Sequence, residues 1–246
     1  MLKQLEMIVD KVANAPKPPL PVGLVEEVPS DDSADMKAVR QGTAYLPAGV
    51  AIEYIDADGN FSARRVTVQA IDMCEDDPAL IGHCHVRQEM RTFRLSGIKC
   101  LFDPVGAPQT FSDPHDFLNR FRIDDPADGE ADPARALLHE ARDEMIVLMF
   151  FARCDGYLHP SERTVMIDYL KSRFAKSDSA LEEGWEVMRR LYPDSRTMLA
   201  SARTIVSAQG KPALRDLQAT IRTLIEADGL LHTNELMHAI EIAYVD

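Results

Sequence analysis

The sequence predicts an α+β chain in two domains: a small β-barrel or rolled sheet, then an all-α helical bundle with an internal repeat. Three observations carry that reading. Between about residues 50 and 105 apolar side chains recur at every second position, which places them on one face of extended strands. From residue 132 the spacing changes to that of amphipathic helices and stays there. Within that second half, "CDGYLHPSER" (154–163) and "ADGLLHTNEL" (227–236) repeat Asp-Gly, Leu-His and Glu in one register, 73 residues apart.

Residues 1–44 read as a short helix and a linker. Leu2, Leu5, Ile8, Val9 and Val12 form one apolar stripe, and "APKPPLPVG" must be extended. Lys3, Glu6, Asp10 and Lys11 interrupt the start, unlike the basic-then-apolar layout of a secretory signal. No apolar run approaches the roughly 18 residues of a membrane span, so a cytoplasmic protein is expected. Residues 45–105 supply five strands: "VAIEYID", "FSARRVTVQAID", "ALIGHCHV", "RTFR" and "IKCLF". "DADGN" joins the first two as a hairpin turn; it lacks the closing Glu of a calcium loop. Residues 106–132 are an acidic connector, with seven acids against two arginines from Gly106 to Pro133. Residues 133–246 hold about six helices. The first runs from an Asp132 cap through Leu138, Ala141, Met145, Leu148 and Ala152, and others fall near 160–174, 179–192, 194–208, 211–227 and 233–244.

A net charge of −13 argues against broad, nonspecific nucleic-acid binding. Locally, Arg64, Arg65, Arg87, Arg91, Arg94 and Lys99 make the strand region basic, which fits a specific anionic partner. Cys74, Cys84, Cys100 and Cys154 have no paired spacing and read as reduced, mostly buried thiols. On a strand, His83 and His85 face one way and Cys84 the other, so "HCH" does not converge as a metal site. No P-loop, nucleophile–base pair or zinc-protease pattern is present, and the expected function is non-enzymatic.

"IEYIDADGNFSARRVTVQAI" and "RTFRLSGI" resemble the WYL domain, an SH3-like β-barrel of bacterial regulators and defence-associated proteins. Here the naming Trp-Tyr-Leu triplet is replaced near "ALIGHC", and the last arginine of the family run is Gly97. The resemblance implies a nucleotide or nucleic-acid ligand held by Arg65, Arg91 and Arg94, whose planar guanidinium groups can grip phosphate oxygens bidentately. The alternative is that these arginines pair with Glu53, Asp72 or Glu89 across the sheet.

"RCDGYLHPSE" and "EADGLLHTNE" resemble the Asp-Gly turns of the TerB (tellurite-resistance) helical domain. Most of each repeat has a local reason. Gly156 and Gly229 suit a left-handed helix end, Leu158 and Leu231 plug the turn, and Glu162 and Glu235 can cap the next helix beside His159 and His232. Asp155 and Asp228 face the negative helix end and need compensation. The resemblance implies a divalent cation at Asp155, Glu162, Asp228 and Glu235, with calcium or magnesium favoured over zinc by the oxygen donors. Two readings stand: a helix staple, or a staple that is also a metal site.

The expected function is therefore a bacterial stress-response or defence-associated module. Its barrel would sense a nucleotide or nucleic acid, and its TerB-like domain would bind a metal or other proteins. The alternatives are a metal-dependent enzyme on a phosphate-containing substrate and a pure interaction scaffold. No feature of the sequence specifies an oligomeric state.

Overall fold

Apolar alternation from residue 49 onward builds one antiparallel sheet, and the helical spacing after residue 132 builds the layer beside it. The computed structural model describes residues 43–72, 78–103, 105, 110–111, 118–122, 132–154, 156–227, 237–239, 241–242 and 245. The N-terminal stripe, the Pro-rich stretch, Asp155, Asp228 and Glu235 lie outside them.

The strands are β1 (Thr43–Ala44), β2 (Gly49–Ile55), β3 (Phe61–Asp72), β4 (Ala79–Cys84), β5 (Glu89–Arg94), β6 (Ile98–Phe102) and β7 (Thr110–Phe111). Their order is β5-β4-β3-β2-β6-β7, with β1 paired to the end of β3. This corrects the expectation of a closed SH3-like β-barrel: among the described residues the sheet is open. The 3-10 turn Leu95–Gly97 carries the chain past β4, β3 and β2, so β6 adds to β2 and not to β5. Among the described residues the edge strands β5 and β7 do not pair, as closure would require.

The "DADGN" turn is closed by its own groups. The Asp56 carboxylate accepts from the Asp58 N–H at 3.0 Å, the Asn60 N–H at 2.8 Å and the Asn60 side chain at 3.0 Å. Gly59 supplies the left-handed residue at φ 85°. One sheet face carries the core residues Val50, Ile52, Val66, Val68, Leu80, Phe93 and Leu101. The stretch read as an acidic connector adds Leu118 and Phe121 to that core, and the Phe121 carbonyl accepts from the Leu46 N–H at 2.8 Å.

Among the described residues up to 227 the helices are α1 (Pro133–Glu140), α2 (Arg142–Phe151), α3 (Pro160–Phe174), α4 (Asp178–Met188), α5 (Ser195–Gln209) and α6 (Lys211–Glu226). Asp132 caps α1, accepting from the Ala134 N–H at 3.0 Å, with Pro133 in the first turn. The predicted first helix breaks at Ala141 (φ −95°, ψ 10°), where no glycine or proline announces it. Every residue of α2 from Glu144 to Phe151 is buried, as suits a helix packed against both α5 and α6. No helix among the described residues is long and apolar enough to cross a membrane.

Sheet and helices share one apolar core. The segment after α4 is laid against the start of β2. Leu191 bridges Ala48, Gly49 N–H donates to the Arg190 carbonyl at 2.8 Å, and Tyr192 N–H donates to the Pro47 carbonyl at 2.8 Å. A buried ion pair, Arg190 Nε to Asp103 Oδ2 at 2.7 Å, ties the end of β6 to the same segment.

Candidate functional site

The sheet face turned away from the core forms one wall of a cleft of about 510 Å³, and the helical layer forms the other. Gln69, His83, His85 and Met90 line the sheet side. Phe150, Arg153, Cys154, Tyr192, Asp194, Arg196 and His238 line the helical side. The volume lies within the usual range for small-molecule pockets, about 300–1,000 Å³.

Alternation along β4 builds the sheet wall. Cys84 is fully buried on the core side, so His83 and His85 project together into the cleft, their rings edge-to-face at 5.3 Å. His85 continues the ladder past Cys84, its N–H donating to the Arg65 carbonyl at 3.0 Å. Gln88 closes the turn into β5 in a left-handed conformation (φ 57°), and its side chain donates to the His85 carbonyl at 2.6 Å.

The helical wall is pinned by polar contacts far apart in sequence. The buried Thr67 hydroxyl donates to the Tyr192 carbonyl at 2.5 Å and lies 2.8 Å from His85 Nε2. A hydroxyl has one proton, so His85 Nε2 must be the donor to Thr67, and Nδ1 carries the lone pair. Gln69 donates to Asp194 Oδ2 at 3.3 Å, while Asp194 Oδ1 caps α5 through the Thr197 N–H at 2.8 Å. Tyr192 packs on Gly49, where an added Cβ would come within 2.9 Å of the Tyr192 Cβ.

Arg153, at the end of α2, lies 4.3 Å over the Tyr192 ring. It donates to the Leu191 carbonyl at 3.0 Å and to the Arg189 carbonyl, satisfying acceptors left free at the end of α4. Burial holds the Arg153 guanidinium below its ordinary pKa, against the pull of Tyr192 and Glu162. Burial pushes His85 down to about 4, helped by His83 and Arg65 and opposed by Asp194. Arg196 at the mouth is exposed and makes no ion pair among the described residues.

The three arginines expected to hold the ligand do not converge. Strand pairing places Arg65 and Arg94 on the cleft-side face and Arg91 on the opposite one. Arg94 stands opposite Ala79 in the row of Asp72, six residues along β4 from the row shared by His85 and Arg65, or about 20 Å at ~3.3 Å per residue. The Arg91 side chain is only 16% exposed and pairs with Glu89 at 3.4 Å. Arg65 is exposed and close enough to affect the charges of both His85 and Arg153, so it alone of the three stands beside the cleft. Gly97, in place of the family's last arginine, has a steric reason: a Cβ there would lie 2.6 Å from the Ile55 carbonyl and from the Tyr54 ring.

Of the expected cation ligands, only Glu162 lies among the described residues. It is 4% exposed, and its Oε2 accepts from the His159 N–H at 2.5 Å, the backward arm of a capping box. Gly156 is left-handed (φ 87°), and Leu158 packs on the core, as the staple reading requires of this first copy. Among the described residues no three metal-ligating side chains come together.

Composition and periodicity do not point to the cleft. The one legible signal is the shared face of His83 and His85; much of its opposing wall, Tyr192, Asp194 and Arg196 among it, comes from residues more than a hundred positions away.

Residues 47–102 match the family model of the WYL domain, which spans β2 to β6 and so includes the sheet wall of the cleft. Among solved structures, the proteasome accessory factor B/C (PafBC) of Arthrobacter aurescens aligns at 12% identity and a TM-score of 0.21, covering 78% of this chain and 52% of that one. The chain thus spans about half the length of that protein. No curated protein matches the chain.

Proposed function

We propose that this chain is a non-enzymatic regulatory module in which the WYL-matched sheet and the helical bundle jointly hold an anionic ligand, a nucleotide or nucleic-acid end. One observation carries the reading: the cleft takes its lining from both layers, so an occupant touches both. Arg65 and Arg196 are the cations free to meet an anion, while Arg153 is committed to carbonyls and holds Tyr192 in place. The test is fluorescence anisotropy with labelled mononucleotides and short 5′-phosphorylated oligonucleotides. Arg65→Ala with Arg196→Ala weakens binding by about tenfold or more, the worth of one or two charge-assisted contacts. Arg94→Ala leaves it unchanged. The reverse pattern overturns this placement, and a folded protein that binds none of the probes overturns the function.

The same proposal gives the helical half the protein-interaction role that its TerB resemblance implies, in a stress-response or defence setting. A cation at Asp155, Glu162, Asp228 and Glu235 would have to share Glu162 with its cap. The rival reading, a metal-dependent enzyme on a phosphate-containing substrate, draws on one observation. Arg65 is among the causes that lower the Arg153 pKa, so Arg153, just ahead of the first Asp-Gly turn, lies near the sheet. Calorimetry with magnesium, manganese, calcium and zinc separates the two: heat that disappears in Asp155→Asn supports the rival, and no heat removes it.

A further inference from the structure

The geometry points to a proton-coupled anion site: we propose that an anion entering the cleft is met by His85, which takes up a proton as the anion binds. This rests on the ligand-cleft reading above and names how that site is regulated.

The arrangement of hydrogen bonds makes room for the proton. His85 Nε2 already donates to Thr67, whose own proton is spent on the Tyr192 carbonyl. The second ring nitrogen, Nδ1, makes no hydrogen bond among the described residues, although the ring lines the cleft. Protonation at Nδ1 therefore breaks no contact and creates a cationic donor. A ring whose two nitrogens were both committed would have to give up a bond to charge.

The surrounding charges explain why the empty cleft keeps the ring neutral. Burial disfavours a cation most, and the edge-on ring of His83 on β4 and then Arg65 on β3 add to it. From the helical side Asp194 favours it, but that carboxylate is engaged by Gln69 and the α5 cap. Tyr192 contributes its carbonyl to the network and its ring edge at 6.0 Å, with Arg153 stacked on that ring. From β5, Glu89 reaches the cleft but is paired with Arg91. An anion would meet Arg65 and offset its positive charge beside His85, one of the causes that keep the ring neutral, while its own charge favours the imidazolium. The chemical class is a phosphate-like or sulfate-like group, whose oxygens suit both a guanidinium fork and an imidazolium N–H.

The test uses probes that do not titrate between pH 5.5 and 7.5: inorganic sulfate and a dithymidine phosphodiester. Calorimetry of the full chain in buffers of different ionisation enthalpy reads proton uptake directly. If binding restores His85 from about 4 to its ordinary 6.5, affinity is about tenfold higher at pH 5.5 than at pH 7.5, with about half a proton taken up at pH 6.5 and close to one at pH 5.5. His85→Gln keeps a donor for Thr67 but cannot titrate; it retains binding and loses the pH dependence. His139→Gln, on the exposed side of α1 and outside the cleft lining, retains both. In wild type, the His85 ring resonances titrate at higher pH with the anion bound than without it, a readout that does not depend on any variant folding. Binding with no proton uptake overturns the proton coupling and leaves the ligand cleft standing. Proton uptake that survives His85→Gln overturns the assignment to His85. No binding of either probe overturns both.

Discussion

Removing Arg190 is predicted to cost far more stability than removing its partner Asp103. The Asp103 side chain is 1% exposed; one oxygen meets Arg190 Nε at 2.7 Å, and the other accepts from the Val105 N–H at 2.9 Å. Arg190→Ala leaves that carboxylate with a single backbone donor among the described residues, away from water. Stripping a buried pair of one member in this way costs about 3–5 kcal/mol. Asp103→Ala leaves a guanidinium that still reaches Glu186 Oε2 at 3.3 Å, on a side chain 57% exposed. That loss is closer to one charged hydrogen bond, about 1.5–3 kcal/mol. Urea unfolding followed by the fluorescence of Trp185, the sole tryptophan and only 6% exposed, reads both variants from the helix just before the pair. Far-UV circular dichroism should trace the same transition, because sheet and helices share one core. An Arg190→Ala variant within about 0.5 kcal/mol of wild type, the range of an ordinary surface change, would refute the reasoning. So would an Asp103→Ala variant that costs more than Arg190→Ala.

Acid should weaken the fold through His85. Its folded value of about 4 lies below the ordinary 6.5, so between the two the unfolded chain binds the extra proton. The contribution is complete above the ordinary value and is lost as pH falls through that window, by up to about 3 kcal/mol. Urea midpoints between pH 7 and pH 4 should show the decline, and His85→Gln should flatten it. Gly49→Ala forces its new methyl to within 2.9 Å of the Tyr192 Cβ. It should cost about 1–3 kcal/mol and loosen the helical wall, read as a lower melting temperature with weaker nucleotide binding. Glu162→Ala removes the acceptor for the His159 N–H and should cost about 1 kcal/mol, whereas Glu162→Gln keeps a capping-box side chain and costs less.

Much of the fold was legible because it is locally encoded. The alternation in "VAIEYID" and "FSARRVTVQAID" marks β2 and β3, and Asp132-Pro133 marks the start of α1. Closure of the sheet was not legible, because it depends on where β6 pairs after the Leu95–Gly97 turn and not on any strand's own pattern. The separation of the arginines could have been read: in "RTFR", residues three apart on a strand face opposite ways, so Arg91 and Arg94 never share a side. The shared face of His83 and His85 was read correctly. Its significance was hidden, because the opposing wall is brought to it by contacts such as Thr67 to Tyr192, 125 residues apart. The break at Ala141 had no local sign at all.

Hydrogen exchange with and without a saturating nucleotide is the sharpest test of a ligand cleft shared by sheet and helices. A shared cleft requires slowed exchange in two separated segments at once, His83–Met90 and Tyr192–Arg196, because its occupant contacts both. Protection confined to the Arg91–Arg94 strand, with Tyr192–Arg196 unchanged, would contradict it.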